Sequence, residues 1–162
     1  MSSTDTLTTL FGHNLWANVR LFEVCTTLSD PQLDATIVGS FGSIRSTLLH
    51  IVDAERSYLS RLATGQPLRR PKDEPTPTMA EMLALARHSG QGLIDVAPRI
   101  QPTDHVEVDW DGQPFQLPCA ILLTQAINHA TEHRAQIMAI LTQIGIQPPD
   151  LDGWSYFEAQ GK

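Results

Sequence analysis

The chain has 162 residues, of which 41% are hydrophobic, and this length suits one compact domain spanning residues 1–162 with its own apolar core. Eighteen acidic against eleven basic residues give a net charge of −7, which argues against non-specific nucleic-acid binding. The longest apolar runs, Cys119–Leu123 and Ile137–Leu141, have five residues each, whereas a membrane span needs roughly 18. We therefore expect neither a nucleic acid nor a membrane among its partners.

The amino-terminal segment and the cysteines indicate a reducing compartment. The segment MSSTDTLTTLFGHN has no early basic residue and no apolar run of the kind found in secretory signals. Cys25 and Cys119 form neither a CxxC motif nor a disulfide framework. The sequence therefore predicts a cytoplasmic protein.

The first amphipathic segment covers about Asp5–Leu28, and the stretch Ser29-Asp30-Pro31 is expected to end it. Its apolar face consists of Leu7, Phe11, Leu15, Phe22 and Cys25. Asn14 and Asn18 share that face, and a buried amide must find hydrogen-bond partners. The pair therefore predicts either a polar cavity or bonds to a neighbouring helix. His13 stands at the edge of the face, where it could be exposed, line a cavity entrance or act as a fourth metal ligand.

The second segment begins near Ser43 and stops at Gly65, the usual C-terminal position for glycine. Its apolar stripe consists of Ile44, Leu48, Ile51, Tyr58 and Leu62. His50 lies on the shoulder of this stripe, beside small residues that leave room for an imidazole to point inward. Glu55 lies near the middle of the stripe, where a buried carboxylate needs a partner. That partner is Arg134 or a metal-bound histidine, unless a tilt of the helix exposes the carboxylate.

The middle of the chain changes from helix to strand. The segment Gln66–Pro77 contains four prolines and is predicted to be a loop. The capping-box pattern Thr78-Met79-Ala80-Glu81 then opens a third helix, which Pro98 closes. After it, the Asp111-Gly112 turn separates two short predicted strands, His105–Trp110 and Gln113–Leu117.

The last long segment runs from Pro118 to Gly145 and carries His129 and His133, four residues apart, on its apolar stripe. Helices with one apolar stripe each must bury it against one another. The sequence thus predicts an all-α protein, a four-helix bundle with a short β-hairpin between helices three and four. The tail Leu151–Phe157 is expected to pack on the bundle as an irregular strap.

A histidine on another helix turns the pair in the last helix into a candidate metal site. Alone, such a pair is compatible with two core or surface histidines. Together, His50, His129 and His133 would bring three neutral nitrogens from two facing helices, a donor set suited to zinc or nickel. We expect a divalent transition metal at these three residues; the alternative is that the rings only fill the core.

The sequence resembles the DinB-like family, four-helix bundles proposed to be metalloenzymes, over nearly its whole length. The matching stretches are His13–Asn18, Ser40–Arg45 leading to Leu49-His50-Ile51, Asn128-His129 through His133–Ile137, and Gly145 with Pro148-Pro149 behind it. In that family one histidine of the second helix and two of the last long helix hold the metal. Those positions correspond to His50, His129 and His133.

The resemblance also implies a homodimer and, by analogy with better-understood relatives, a low-molecular-weight thiol as cosubstrate. We therefore expect a metal-dependent transferase or hydrolase that acts on a small molecule, its metal lowering the pKa of bound water or thiol. Orienting or substrate-contacting groups would come from Asn14, Asn18, Glu55, His13 and Arg134. The alternatives are a non-catalytic, stress-related dimeric bundle that binds a metal or small ligand, and a purely structural bundle.

Overall fold

A computed structural model describes residues 5–161 and confirms the predicted all-α bundle with a hairpin before its last long helix. The segment MSSTDTLTTLFGHN, which lacks the features of a secretory signal, begins outside this range. In chain order the described elements are α1 Thr6–Cys25, α2 Asp30–Leu33, α3 Ile44–Thr64, α4 Met79–Val96, the 3-10 helix Ala97–Arg99, β1 His105–Trp110, β2 Gln113–Pro118, α5 Cys119–Gln143 and α6 Gly153–Ala159. Among these described residues, every helix is too short or too polar to serve as a membrane span.

Three of the four long helices, α1, α3 and α4, begin where the sequence supplies a capping side chain, whereas α5 begins after Pro118 without one. The Thr78 hydroxyl accepts a hydrogen bond from the Glu81 N–H, and the Glu81 carboxylate accepts the Thr78 N–H at 2.7 Å, which is the predicted capping box. Asp5 and Ser43 each accept one bond from the first turns of α1 and α3. At the other end of α3, Gly65 has a φ of 76°, a left-handed conformation that glycine adopts without steric cost.

Two segments differ from the sequence prediction. Helix α1 ends at Cys25. The residues that were expected only to end it also begin the short helix α2, because Ser29 and Gln32 form a capping box and a proline occupies its first turn. The tail is also more regular than the predicted strap. It contains α6, because Asp152 accepts a hydrogen bond from the Ser155 N–H at 2.8 Å and so caps a helix there.

The bundle places α1 and α3 each in contact with both α4 and α5. Glu55 of α3 bonds to Ser89 of α4. One turn further along both helices, Leu59 lies against Gly92 so closely that a side chain on the glycine would collide with it. Helices α3 and α4 therefore run in the same direction, and the proline-rich segment 66–77 returns the chain along the bundle. This arrangement sets α3 beside α5, the two helices that carry the candidate histidines.

The hairpin precedes α5 and packs on its beginning. Its strands pair antiparallel, with Val108 opposite Phe115. The turn residues Asp111 and Gly112 have φ values of 52° and 81°, and two positive φ angles are what a tight hairpin turn requires. Val106 and Val108 are buried against the first turns of α5. The predicted Asp-Gly hairpin is thus confirmed.

Candidate metal centre

Three histidines converge between α3 and α5. One ring nitrogen each of His50, His129 and His133 lies within 4.8 Å of the other two. The Nε2 atoms of His50 and His129 are only 2.9 Å apart. Zinc–nitrogen bonds of about 2.0–2.1 Å place two imidazole ligands of one ion roughly 3 Å apart, so this spacing fits a shared ion. Helical spacing explains the convergence, since residues four apart on α5 face α3 from successive turns.

The surroundings keep two of these rings, His129 and His50, in the form that binds metal. Burial lowers the pKa of His129 to about 4, with further lowering from the neighbouring His133 and His50. Burial and His133 also lower the pKa of His50, although Asp53 acts in the opposite direction. Neutral imidazole is the ligand form, so at neutral pH protons do not compete for these nitrogens.

Two residues to which no sequence motif assigned a role, Phe41 and Gln136, complete the site. The Phe41 ring stacks on His50, with centroids 4.1 Å apart and planes inclined by 13°, and its edge meets His133 at 5.1 Å. The side-chain oxygen of Gln136 lies 2.9 Å from Nδ1 of His133 and accepts the Phe41 N–H at 3.1 Å. The one sequence signal for Gln136 was its position three residues after His133, which places both side chains on neighbouring turns of α5.

The two asparagines bridge the buried carboxylate and the buried guanidinium. Glu55 Oε1 accepts hydrogen bonds from Nδ2 of Asn14 at 2.7 Å and of Asn18 at 2.9 Å. Ser89 Oγ donates to the other carboxylate oxygen at 3.1 Å. Arg134 Nη1 donates to Oδ1 of Asn14 at 2.8 Å and of Asn18 at 2.7 Å. Arg134 thus reaches Glu55 through the two amides, and no tilt exposes the carboxylate, which is 1% accessible.

This buried network joins all four long helices at one level of the bundle, because Asn14 and Asn18 belong to α1 and the others to α3, α4 and α5. Burial lowers the pKa of Arg134 to about 10, which still leaves it charged at neutral pH. Burial raises the pKa of Glu55, while its hydrogen-bond donors and Arg134 act against that change. Since Arg134 directly follows His133, the network restricts how α5 can rotate beside α3.

His13 lies apart from the three converging histidines. Its Nε2 donates to the Leu151 carbonyl at 2.8 Å, and its ring packs against Trp16 and Tyr156. The residue therefore fastens the tail to α1. Among residues 5–161, the cluster that could hold a metal does not include it.

We expect the metal-free protein to lose stability in acid through His129. Between pH 6.5 and pH 4 the unfolded chain binds a proton at this residue and the folded chain does not, so the free energy of unfolding falls as the pH falls through that window. The change in pKa from 6.5 to about 4 corresponds to about 3 kcal/mol. We expect a loss of about 2 kcal/mol, because solvent screening of a partly buried ring reduces this effect. Urea unfolding of chelator-treated protein at both pH values measures it. His129→Gln should show a shallower pH dependence, and equal slopes would contradict the assignment.

Comparison with known proteins agrees with this architecture. The sequence profile described as the DinB family matches residues 1–162. The uncharacterized protein YrdA of Bacillus subtilis (strain 168) is 32% identical over 85 residues, which are 51% of this chain and 50% of that protein. The chain thus matches about half the length of this curated relative. The crystal structure of a DinB-like protein from Bacillus cereus superposes with a TM-score of 0.63 at 22% identity, covering 86% of this chain and 91% of that one, and it shows the shared fold.

Proposed function

This chain belongs to the DinB family, and on that basis we propose that it is a metal-dependent enzyme of the thiol-dependent transferase or hydrolase type. His50, His129 and His133 would hold one divalent transition metal, zinc or nickel. The observation that carries the proposal is the convergence of these three imidazoles. Within residues 5–161, no fourth histidine, cysteine or carboxylate joins the group. Three protein ligands leave coordination positions for a water or a substrate, the pattern of catalytic rather than structural sites.

A bound metal would supply Lewis acidity, lowering the pKa of a water or thiol so that hydroxide or thiolate forms near neutral pH. The protein's own residues prepare the site. His50 and His129 are partly exposed, which lets a small molecule approach, whereas His133 is buried. The Phe41 ring excludes water from one side of His50. At the other end of the cluster, the Tyr58 ring meets the His129 ring edge-on at 6.0 Å.

The cysteines of the chain favour a thiol that comes from outside. Cys25 and Cys119 are both free and buried. Burial raises the pKa of Cys25 to about 12, and burial together with Asp104 raises that of Cys119. In both side chains the thiolate that nucleophilic chemistry requires is therefore disfavoured. A low-molecular-weight thiol would supply it, and a reducing cytoplasm would be the matching compartment.

We also propose a homodimer, as the family resemblance implies. On the hairpin, the exposed rings of Trp110 and Phe115 lie with their centroids 5.8 Å apart, and this apolar patch supports an interface between copies. Light scattering should then give about twice the 17.9 kDa chain mass.

The first test of the proposal is metal content. We expect protein purified without a histidine tag or added metal to contain about one transition metal per chain, consistent with a single three-histidine site. After substitution with cobalt, a low-molecular-weight thiol should produce a thiolate-to-cobalt absorption band if the open positions accept it. Absence of metal even after reconstitution at neutral pH would contradict the metal site. A metal that takes up neither water nor thiol would instead support the non-catalytic binding protein.

A further inference from the structure

We propose that Gln136 is a positioning residue that couples His133 to the loop carrying Phe41, so that metal binding and closure of this loop over the cluster favour each other. The loop comprises residues 34–43, between α2 and α3. This role rests on the metal site proposed above. It adds to that site a residue that orients His133 and a loop that closes over the histidines.

The backbone settles which way the Gln136 amide points. The N–H of Phe41 can only donate, so the atom that faces it at 3.1 Å must be the amide oxygen. The same oxygen lies 2.9 Å from Nδ1 of His133. That nitrogen must therefore carry a hydrogen and donate it. The other ring nitrogen, Nε2, then keeps its lone pair for a metal.

The opposite tautomer of His133 would release the loop. With the hydrogen on Nε2, Nδ1 becomes an acceptor, and Gln136 could satisfy it only by turning its NH2 group towards the ring. The NH2 group of Gln136 would then also face the Phe41 N–H. Because both groups are donors, the hydrogen bond between Phe41 and Gln136 would be lost. The metal-binding tautomer and the bond between Gln136 and Phe41 therefore occur together, and two coupled equilibria influence each other by the same factor.

At its base the loop is held by Ala35 and Ile37, which pack against the core, and by Asp34, which accepts a hydrogen bond from Arg45 Nε at 3.0 Å. These contacts do not involve Phe41. The Ser40 hydroxyl bonds to the carbonyls of Ile37 and Gly42, contacts that stay within the loop itself. By contrast, the bond from Phe41 to Gln136 ties the loop to α5, across 95 residues of sequence. When that bond is made, the Phe41 ring covers His50 although it remains 53% exposed itself. An incoming small molecule would therefore meet Phe41 as one wall of the site.

Three variants test the role of Gln136. Gln136→Leu removes the acceptor, Gln136→Glu keeps an oxygen that accepts both bonds, and Gln143→Leu makes the same chemical change at an exposed position of α5. Zinc affinity is measured by competition with a chromophoric chelator. Hydrogen exchange of the Phe41 amide is followed with and without zinc, and circular dichroism verifies folding of each variant.

We expect Gln136→Leu to bind zinc about 10–100-fold more weakly, the usual cost of losing a partner of a metal-bound histidine. It should also lack the zinc-dependent protection of the Phe41 amide that we expect in the wild type. Gln136→Glu should retain both properties, and Gln143→Leu should match the wild type. Rescue by glutamate separates hydrogen-bond acceptance from packing alone.

The results that would overturn the proposal are separable. If the wild type binds no zinc, the metal site and this role both fail. If the wild type binds zinc and Gln136→Leu binds it with equal affinity, the role of Gln136 is overturned but the metal site stands. If zinc leaves exchange of the wild-type Phe41 amide unchanged, the coupling to the loop is overturned while the metal site stands. A glutamate variant as weak as the leucine variant overturns hydrogen-bond acceptance as the mechanism.

Discussion

Replacement of His50 by alanine is expected to weaken metal binding by more than about 100-fold, as severely as His133→Ala, because loss of a ligand should exceed the 10–100-fold cost of losing a hydrogen-bond partner of a ligand. The two residues lie on different helices, yet their nitrogens share one cluster. Elemental analysis of each purified variant, with a zinc competition titration, measures the effect. The fold should persist without metal, since the core beside the cluster is unchanged.

A surface histidine provides the control for this prediction. His88 is exposed on α4, so His88→Ala should leave metal content and affinity unchanged. A His50→Ala variant that keeps the metal while His133→Ala loses it would contradict a site shared between α3 and α5. The metal would then be held by α5 alone, and the enzyme proposal would lose its main support.

Replacement of Arg134 by methionine is expected to lower the free energy of unfolding by about 3–5 kcal/mol, the typical cost of removing one partner of a buried charge pair, which here is bridged by the amides of Asn14 and Asn18. The variant would leave the Glu55 carboxyl, 1% exposed, without a nearby cation. It would also remove the donor from the side-chain oxygens of Asn14 and Asn18. Guanidinium unfolding at neutral pH measures the change.

The same substitution at an exposed ion pair provides the matched control. Arg87 contacts Glu23 at 3.3 Å, and both side chains are about half exposed, so Arg87→Met should change the free energy of unfolding by less than about 1 kcal/mol. A double variant, Glu55→Gln with Arg134→Met, should cost less than the sum of its single variants, because neither buried charge then remains. Equal effects of Arg134→Met and Arg87→Met would show that the network contributes little to stability.

Local sequence patterns determined most of the fold. Apolar residues at helical spacing predicted four long helices, the Thr78–Glu81 capping box and Gly65 marked helix ends, and Asp111-Gly112 predicted the hairpin. Each of these features depends on neighbours within about one turn, so the sequence contains the full physical information for it. The errors occurred at the short helices α2 and α6, whose four and seven residues are too few to show a helical period.

The placement of His50, His129 and His133 on inward stripes could also be read from periodicity, since a period of 3.6 residues identifies the buried face of a helix. Periodicity does not show which residues of one helix lie opposite which residues of its neighbour. Only the tertiary structure therefore decided that Phe41 lies on His50 and that Gln136 joins it to His133.

The buried network shows the same division between sequence and tertiary structure. A carboxylate on an inward stripe predicted that Glu55 needs a partner, because desolvation of a carboxylate must be offset. The identity of those partners depends on side-chain reach across three helix contacts. The separation between Glu55 and Arg134 leaves room for the side chains of Asn14 and Asn18 between them, and Ser89 donates a further hydrogen bond to Glu55. Helix faces follow from the order of residues along one chain segment, but contacts between segments follow from packing, which brings residues distant in sequence to the same level of the bundle.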